Sequence, residues 1–285
     1  MLATVEIIAR RLVLQTPGVR ATVPMLRGVW GAALHGLNRQ AYQQVFEGVG
    51  LPHERMPAYV LRPGPPTSDG HPTLDWILIG PGLPYDQVLL RAWDVASGMG
   101  LGPDRRRFFL LDILTLTPTG EAATAAPGDS VAWDLSKAVW PRPSESDSGS
   151  YRLLFPAPLR LISNHQLVEK PSLSDLIVAA IRRLAAFLGY SWNQKLSAMA
   201  PGLQEAARRL PARPWRGQRL DLVRYSARQR TELELRGVSG HLDLPEGAGE
   251  LWPWLAAMQW LHLGKGTTLG LGQLVIMPLP KDETL

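Results

Sequence analysis

The chain has no cysteine. Disulfides, thiolate metal ligands and cysteine nucleophiles are therefore excluded. It holds no apolar run of membrane-spanning length, and its first residues lack the pattern of a secretory leader. A cytoplasmic protein that meets no membrane is the default expectation. Histidine is sparse, with six copies in 285 residues, and none falls in H-x-x-H or H-E-x-x-H spacing. The carboxylates are scattered without a D-x-D cluster. No metal site and no cofactor are expected. G-x-S-x-G is missing too, which removes the usual serine nucleophile signature.

What is present is a chain rich enough in apolar residues, at 45%, to pack one large core or two ordinary ones. Its net charge is +5 and its basic residues are mostly arginine. The planar guanidinium fork suits phosphates and stacks on bases. The most informative motif is LHLGKGTTLGLGQLVI, Leu261 to Ile276. Gly264, Gly266, Gly270 and Gly272 surround Lys265, Thr267 and Thr268. Glycine lets backbone N–H groups approach a ligand closely, so these residue types can cradle phosphate oxygens. A Walker-type site requires Lys followed by Ser or Thr on the way from a strand into a helix. Here Lys265 is followed by glycine, and the loop leaves a helix to enter a strand. Two readings stand: a ligand-free turn, or a cradle for a nucleic-acid backbone.

Periodicity organises the rest. A strand is expected over 4–14 and an amphipathic helix over 26–48. Strands follow at 58–62 and 74–80, a helix at 85–97, a glycine cluster at Gly98, Gly100 and Gly102, and a strand at 107–117. Residues 118–150 read as a connecting segment, with a Pro/Ser/Asp-rich stretch at 141–150. The second half repeats the order. A strand at 151–162 precedes a helix that Ser172 and Asp175 would start as a capping box. A short extra helix is expected at 203–210. Strands at 219–226 and 231–244, a tryptophan-rich helix at 250–263, the glycine loop 264–272 and a last strand at 274–278 complete it. Both halves are β-α-β-β-α-β, giving two ferredoxin-like domains, 1–117 and 151–285, in an α+β chain.

The segments LRGVWGAALHGL (26–37), FPAPLRLISNHQLVEKPSLSDLI (155–177), RYSARQ (224–229) and WLHLGKGTTLGLG (260–272) resemble the RAMP superfamily. More narrowly they resemble its CRISPR-associated endoribonucleases that process precursor CRISPR RNA. The resemblance implies metal-independent cleavage within repeats, in which the 2′-hydroxyl attacks the adjacent phosphate. The products would be a 2′,3′-cyclic phosphate and a 5′-hydroxyl. It also implies a histidine on or near the first helix. The implied partner is the repeat RNA, with other subunits of an effector complex as further partners; monomer and homodimer both remain open. The alternative is a non-catalytic RAMP subunit that holds guide RNA.

The chemistry needs proton transfer at two oxygens and cations against the developing charge. On a helical wheel His35, Arg39 and Tyr42 share a narrow sector away from the apolar stripe of Trp30, Leu34, Leu37 and Ala41. His35 with Tyr42 is one catalytic candidate; a solvated helix face would give the same pattern. His262, just before the glycine loop, is the rival, and a helix-capping role competes for it. Expected RNA contacts are Arg27, Arg39, Arg224, Arg228, Gly264, Lys265, Gly266, Thr267, Thr268, Gly270 and Gly272. Arg105–Arg107 and a second basic region over residues 208–219 are further candidates, with Trp215 as a residue able to stack on a base.

Overall fold

In the computed structural model the described residues are 5–48, 56–124, 131–138, 149–188, 190–226 and 231–279; side chains of 190–192, 222–226 and 231–235 fall outside the description. The chain divides into two compact units. One comprises 1–140 with 186–188 and 268–270, and the other comprises 141–185, 189–267 and 271–285.

In the first unit β1 (Glu6–Gln15) leads to helix α1 (Val23–Leu37) and a short helical turn α2 (Arg39–Ala41). Strands β2 (Tyr59–Gly64) and β3 (Thr73–Ile79) follow, then α3 (Asp86–Met99) and β4 (Phe109–Leu116). The order across the sheet is β2-β3-β1-β4, every neighbour antiparallel. This is the split β-α-β arrangement of the ferredoxin-like fold. β5 (Ala122–Thr124) extends the edge beside β4, and β6 (Trp133–Asp134) pairs with β1. Part of the expected connecting segment therefore belongs to this sheet. Trp133 is buried and its indole donates to the Leu116 carbonyl at 3.2 Å.

One face of that sheet carries Leu12, Leu61, Trp76 and Leu78 against the apolar stripes of α1 and α3. Trp30 lies at the centre, stacked on Trp93 with centroids 5.1 Å apart and edge-on to Tyr59 at 5.0 Å. Arg10 enters this core because Asp86, in the first turn of α3, pairs with it; a second hydrogen bond between them is 2.8 Å. Tearing out one member of such a buried pair leaves an unpaired charge.

The second unit has β7 (Tyr151–Leu159), a small hairpin of β8 (Ile162–Ser163) and β9 (Gln166–Leu167), helices α4 (Leu173–Ala185) and α5 (Tyr190–Arg209), and strands β10 (Arg216–Ser226) and β11 (Thr231–Leu244). Helix α6 (Trp252–Leu261) and β12 (Val275–Pro278) end it. Its sheet order, β10-β11-β7-β12, is that of the first unit. The capping box at α4 forms as expected: Asp175 N–H donates to Ser172 Oγ at 3.2 Å and Ser172 N–H to the Asp175 carboxylate at 2.9 Å. The short helix expected at 203–210 is instead the end of the longer α5. Helix α6 is apolar nearly all round, and Trp254 through Leu261 are buried.

Candidate nucleic-acid interface

The expected single helix over 26–48 is broken. α1 ends at Leu37 because Asn38 adopts extended backbone angles, φ −154° and ψ 100°. Its N–H still closes on the Leu34 carbonyl at 2.8 Å, while its side-chain oxygen accepts from Ala41 N–H at 2.9 Å. One residue thus terminates α1 and caps the next turn, a position that asparagine favours over a helix interior. Residues Tyr42–Glu47 continue as a wider π-type turn, an element that recurs at functional sites.

The break folds the rings back along α1. His35 and Tyr42 meet edge to face, centroids 4.9 Å apart with planes at 89°. Tyr42 stacks on Phe46 at 4.9 Å, and Phe46 on Tyr59 at 5.6 Å. The Arg27 guanidinium carbon lies 4.2 Å from the Phe46 ring centroid, within cation–π range. Arg27, Gly31 and His35 are successive members of one i, i+4 stripe. Gly31 is the reason the ring can seat there: a β-carbon would stand 2.3 Å from the Phe46 ring. Burial pushes the Tyr59 phenol up to about 12, partly opposed by the adjacent Arg27 guanidinium and the Thr268 hydroxyl. The phenol is therefore neutral at physiological pH. His35 and Arg39 are exposed, and Arg27 and Tyr42 are half-buried. The ring ladder thus ends at the surface in an imidazole.

The glycine loop is built differently. His262 caps α6, its N–H bonding the Met258 carbonyl at 2.9 Å, with a left-handed φ of 59°. Its ring is completely buried, and Nδ1 lies 3.0 Å from the Leu271 carbonyl. Backbone N–H groups of Leu263, Lys265, Leu271 and Gly272 donate to the carbonyls of Gly272, Arg160, Gly266 and Pro158. Gly272 has no alternative residue, since a β-carbon would lie 1.8 Å from the Leu263 carbonyl oxygen. Thr267, Thr268, Gly270 and Gly272 are buried, Gly264 and Gly266 half-buried, and Lys265 exposed. The loop is a pinned turn that lifts one lysine into solvent. Arg183, buried on α4, donates to the Leu261 carbonyl at 3.1 Å and ties down the end of α6; burial lowers its guanidinium to about 9.

Other expected contacts fall elsewhere. Arg224 lies on β10 with its side chain outside the described residues, and Arg228 is outside them altogether. In the second basic region Arg208 and Arg209 pair with Glu205, and Arg219 with Glu169 and Asp221. Trp215 lies tilted on Phe155 at 5.8 Å. Among the described residues no group of three or more His, Asp or Glu side chains is placed to hold a metal ion, and no helix is long and apolar enough to cross a membrane.

Sequence reading did not single out Asn38, Gly31, Phe46 or Tyr59. Asn38 carried a signal, an asparagine within a helical pattern; Tyr59, in an ordinary strand, carried none.

Residues 153–274 match the family model described as CRISPR-associated endoribonuclease Cas6. Comparison with curated proteins gives no match. Among solved structures, the product complex of Cas6 TTHB231, a Thermus thermophilus protein, superimposes with a TM-score of 0.58 at 17% identity, covering 97% of this chain and 100% of that one. The product complex of Cas6 TTHA0078 gives 0.57 at 21% identity, covering 95% and 99%, and its substrate mimic complex gives 0.54 at 20%, covering 95% and 99%. At these identities the likeness establishes the fold over both units.

Proposed function

We propose that this chain is a CRISPR-associated RNA-cleaving enzyme of the Cas6 family, and that it cuts precursor CRISPR RNA within its repeats by 2′-hydroxyl attack on the adjacent phosphate. The 2′-oxygen loses its proton as its bond to phosphorus forms. The bond to the 5′-oxygen breaks, and that oxygen takes up a proton. A 2′,3′-cyclic phosphate and a 5′-hydroxyl result. His35 carries out proton transfer at this site. The supporting observation is its exposure at the end of α1, with its ring held edge-on by Tyr42. Arg39, exposed just past the Asn38 break, opposes the charge that builds on the phosphorane oxygens. Arg27 acts one step back, bracing the ring ladder through Phe46.

His262 belongs to the loop's architecture. A completely buried imidazole aimed at the Leu271 carbonyl sets the turn that presents Lys265 to the RNA backbone. Named complexes of the structural relatives with product and with a substrate mimic support the choice of RNA as ligand.

The test is incubation of purified protein with labelled repeat RNA in EDTA, followed by end-group analysis. Cleavage at one position per repeat with a cyclic phosphate end is expected. Tight binding without cleavage would make the chain a guide-RNA-holding subunit. Cleavage of an RNA carrying a 2′-deoxy scissile nucleotide would overturn the mechanism.

A further inference from the structure

The glycine cluster at residues 98–102 is left unused by the site above, and it builds a separate basic feature of the first unit. Beyond α3, Leu101 and Arg106 exchange both backbone hydrogen bonds, at 2.7 and 3.0 Å, and Arg105 N–H bonds the Gly102 carbonyl at 3.2 Å. A tight hairpin results, with Arg105 at a left-handed φ of 46°. Gly100 makes it possible, because a β-carbon there would lie 2.2 Å from the Arg105 carbonyl oxygen. Strain of this kind persists only where surrounding structure enforces it, and it concentrates at functional positions.

The hairpin displays Arg105, Arg106 and Arg107, all exposed. Arg106 reaches the loop between β1 and α1, where a β-carbon at Gly18 would be 2.5 Å from its Nη1; the same loop carries the exposed Arg20. On the other side Gly102 faces Met25 at the start of α1, whose first turn holds no acidic residue. Among the described residues the ion partner in this group is Asp104, 3.8 Å from Arg106. Of the four guanidinium groups here, Arg106 is the one ion-paired to Asp104. In the second unit, by contrast, Arg208, Arg209 and Arg219 are tied to Glu205, Glu169 and Asp221.

We infer that this arginine hairpin is a second, sequence-independent contact for the RNA backbone, at the opposite end of α1 from His35. This rests on the reading of the substrate as RNA. From Met25 to His35 the helix rises ~15 Å at 1.5 Å per residue. That length corresponds to about four to five stacked nucleotides at ~3.4 Å per step. Guanidinium groups spaced along a surface read phosphates without reading bases. The two glycine clusters therefore divide the work. The loop at 264–272 is pinned and presents one lysine, whereas the hairpin at 100–106 is the cationic one.

The test uses full-length protein and a repeat RNA made uncleavable by a 2′-deoxy scissile nucleotide. Affinity is measured across a salt series for wild type, for an Arg105→Ala/Arg106→Ala/Arg107→Ala variant, and for the corresponding triple Lys variant. The Ala variant should bind at least about tenfold more weakly, and the slope of log affinity against log salt should fall by roughly two, at ~0.7 per lost single-strand phosphate contact. The Lys variant keeps the charges and should keep most of the slope. Ethylation interference should place the lost contacts about four to five nucleotides from the scissile phosphate. An unchanged slope in the Ala variant with an unchanged melting temperature overturns the proposal, and so does an equal loss in the Lys variant. His35→Ala serves as the independent arm: cleavage persisting in it would sink the catalytic assignment while leaving the hairpin's slope effect to stand or fall alone.

Discussion

The rings of His35 and Tyr42 touch edge to face with centroids 4.9 Å apart, although seven residues of straight helix would set their backbones ~10 Å apart along the axis. Asn38 accounts for the difference. By ending α1 and capping the following turn, it brings Tyr42 back over the histidine. In the proposed reaction this would bring the imidazole to substrate with its orientation already fixed, which shortens the search for a productive geometry.

The ring contact separates positioning from chemistry. His35→Ala should lower single-turnover cleavage by roughly 10²–10⁴-fold, the range for losing a general acid or base. Tyr42→Phe keeps the aromatic edge contact and should cost only a few-fold, whereas Tyr42→Ala should cost at least about tenfold. Equal losses in the two tyrosine variants would place the hydroxyl in the reaction itself. His262→Ala should lower the melting temperature and leave the cut position unchanged.

Gly31 and Phe46 should behave as a coupled pair. Gly31→Ala forces a β-carbon into a ring 2.3 Å away, so we expect a loss of roughly 1–3 kcal/mol in denaturant unfolding. With Phe46→Ala in the same chain the clash vanishes, and the double mutant should be more stable than the sum of the single effects, by about 0.5–3 kcal/mol. Simple additivity would rule out the seating described here.

The glycine loop yields an opposing pair of results. Gly272→Ala meets both a left-handed φ of 67° and a carbonyl oxygen at 1.8 Å, and should destabilise by roughly 2–5 kcal/mol. Lys265→Ala, at an exposed position, should change stability by less than about 0.5 kcal/mol. It should instead reduce the salt slope of RNA binding by about 0.7–0.9. A Lys265→Ala variant with wild-type RNA affinity would remove the lysine from the interface.

Tyr59 predicts an alkaline limb of stability. Its folded-state phenol titrates near 12 against ~10 in an unfolded chain. The folded state therefore binds the proton more tightly, and the corresponding stability is fully present below pH 10 and lost as pH rises through 12. The loss amounts to roughly 2–3 kcal/mol. Urea unfolding of wild type and Tyr59→Phe between pH 9 and 12 checks this. The wild type should lose stability faster, and parallel curves would refute the assignment.

Sequence by itself determined both β-α-β-β-α-β units, because apolar spacing, proline breaks and the Ser172–Asp175 box are local signals that survive without their partners. A helical period also put His35, Arg39 and Tyr42 on one face, and of these the structure brings the rings of His35 and Tyr42 into contact. Tertiary structure decided what that period cannot express. The switch in backbone angles at Asn38 is one residue wide, too short to disturb an amphipathic pattern, yet it ends the helix and closes His35 onto Tyr42. The mate for Gly31 lies fifteen residues on and that for Phe46 thirteen, and no composition rule links them. The glycine motif resembled an open cradle because residue types say where a backbone can approach closely, not what approaches it. In the folded chain the approaching groups are the carbonyls of Pro158, Arg160 and Leu263, so those glycines serve packing, and the exposed charge they leave is Lys265.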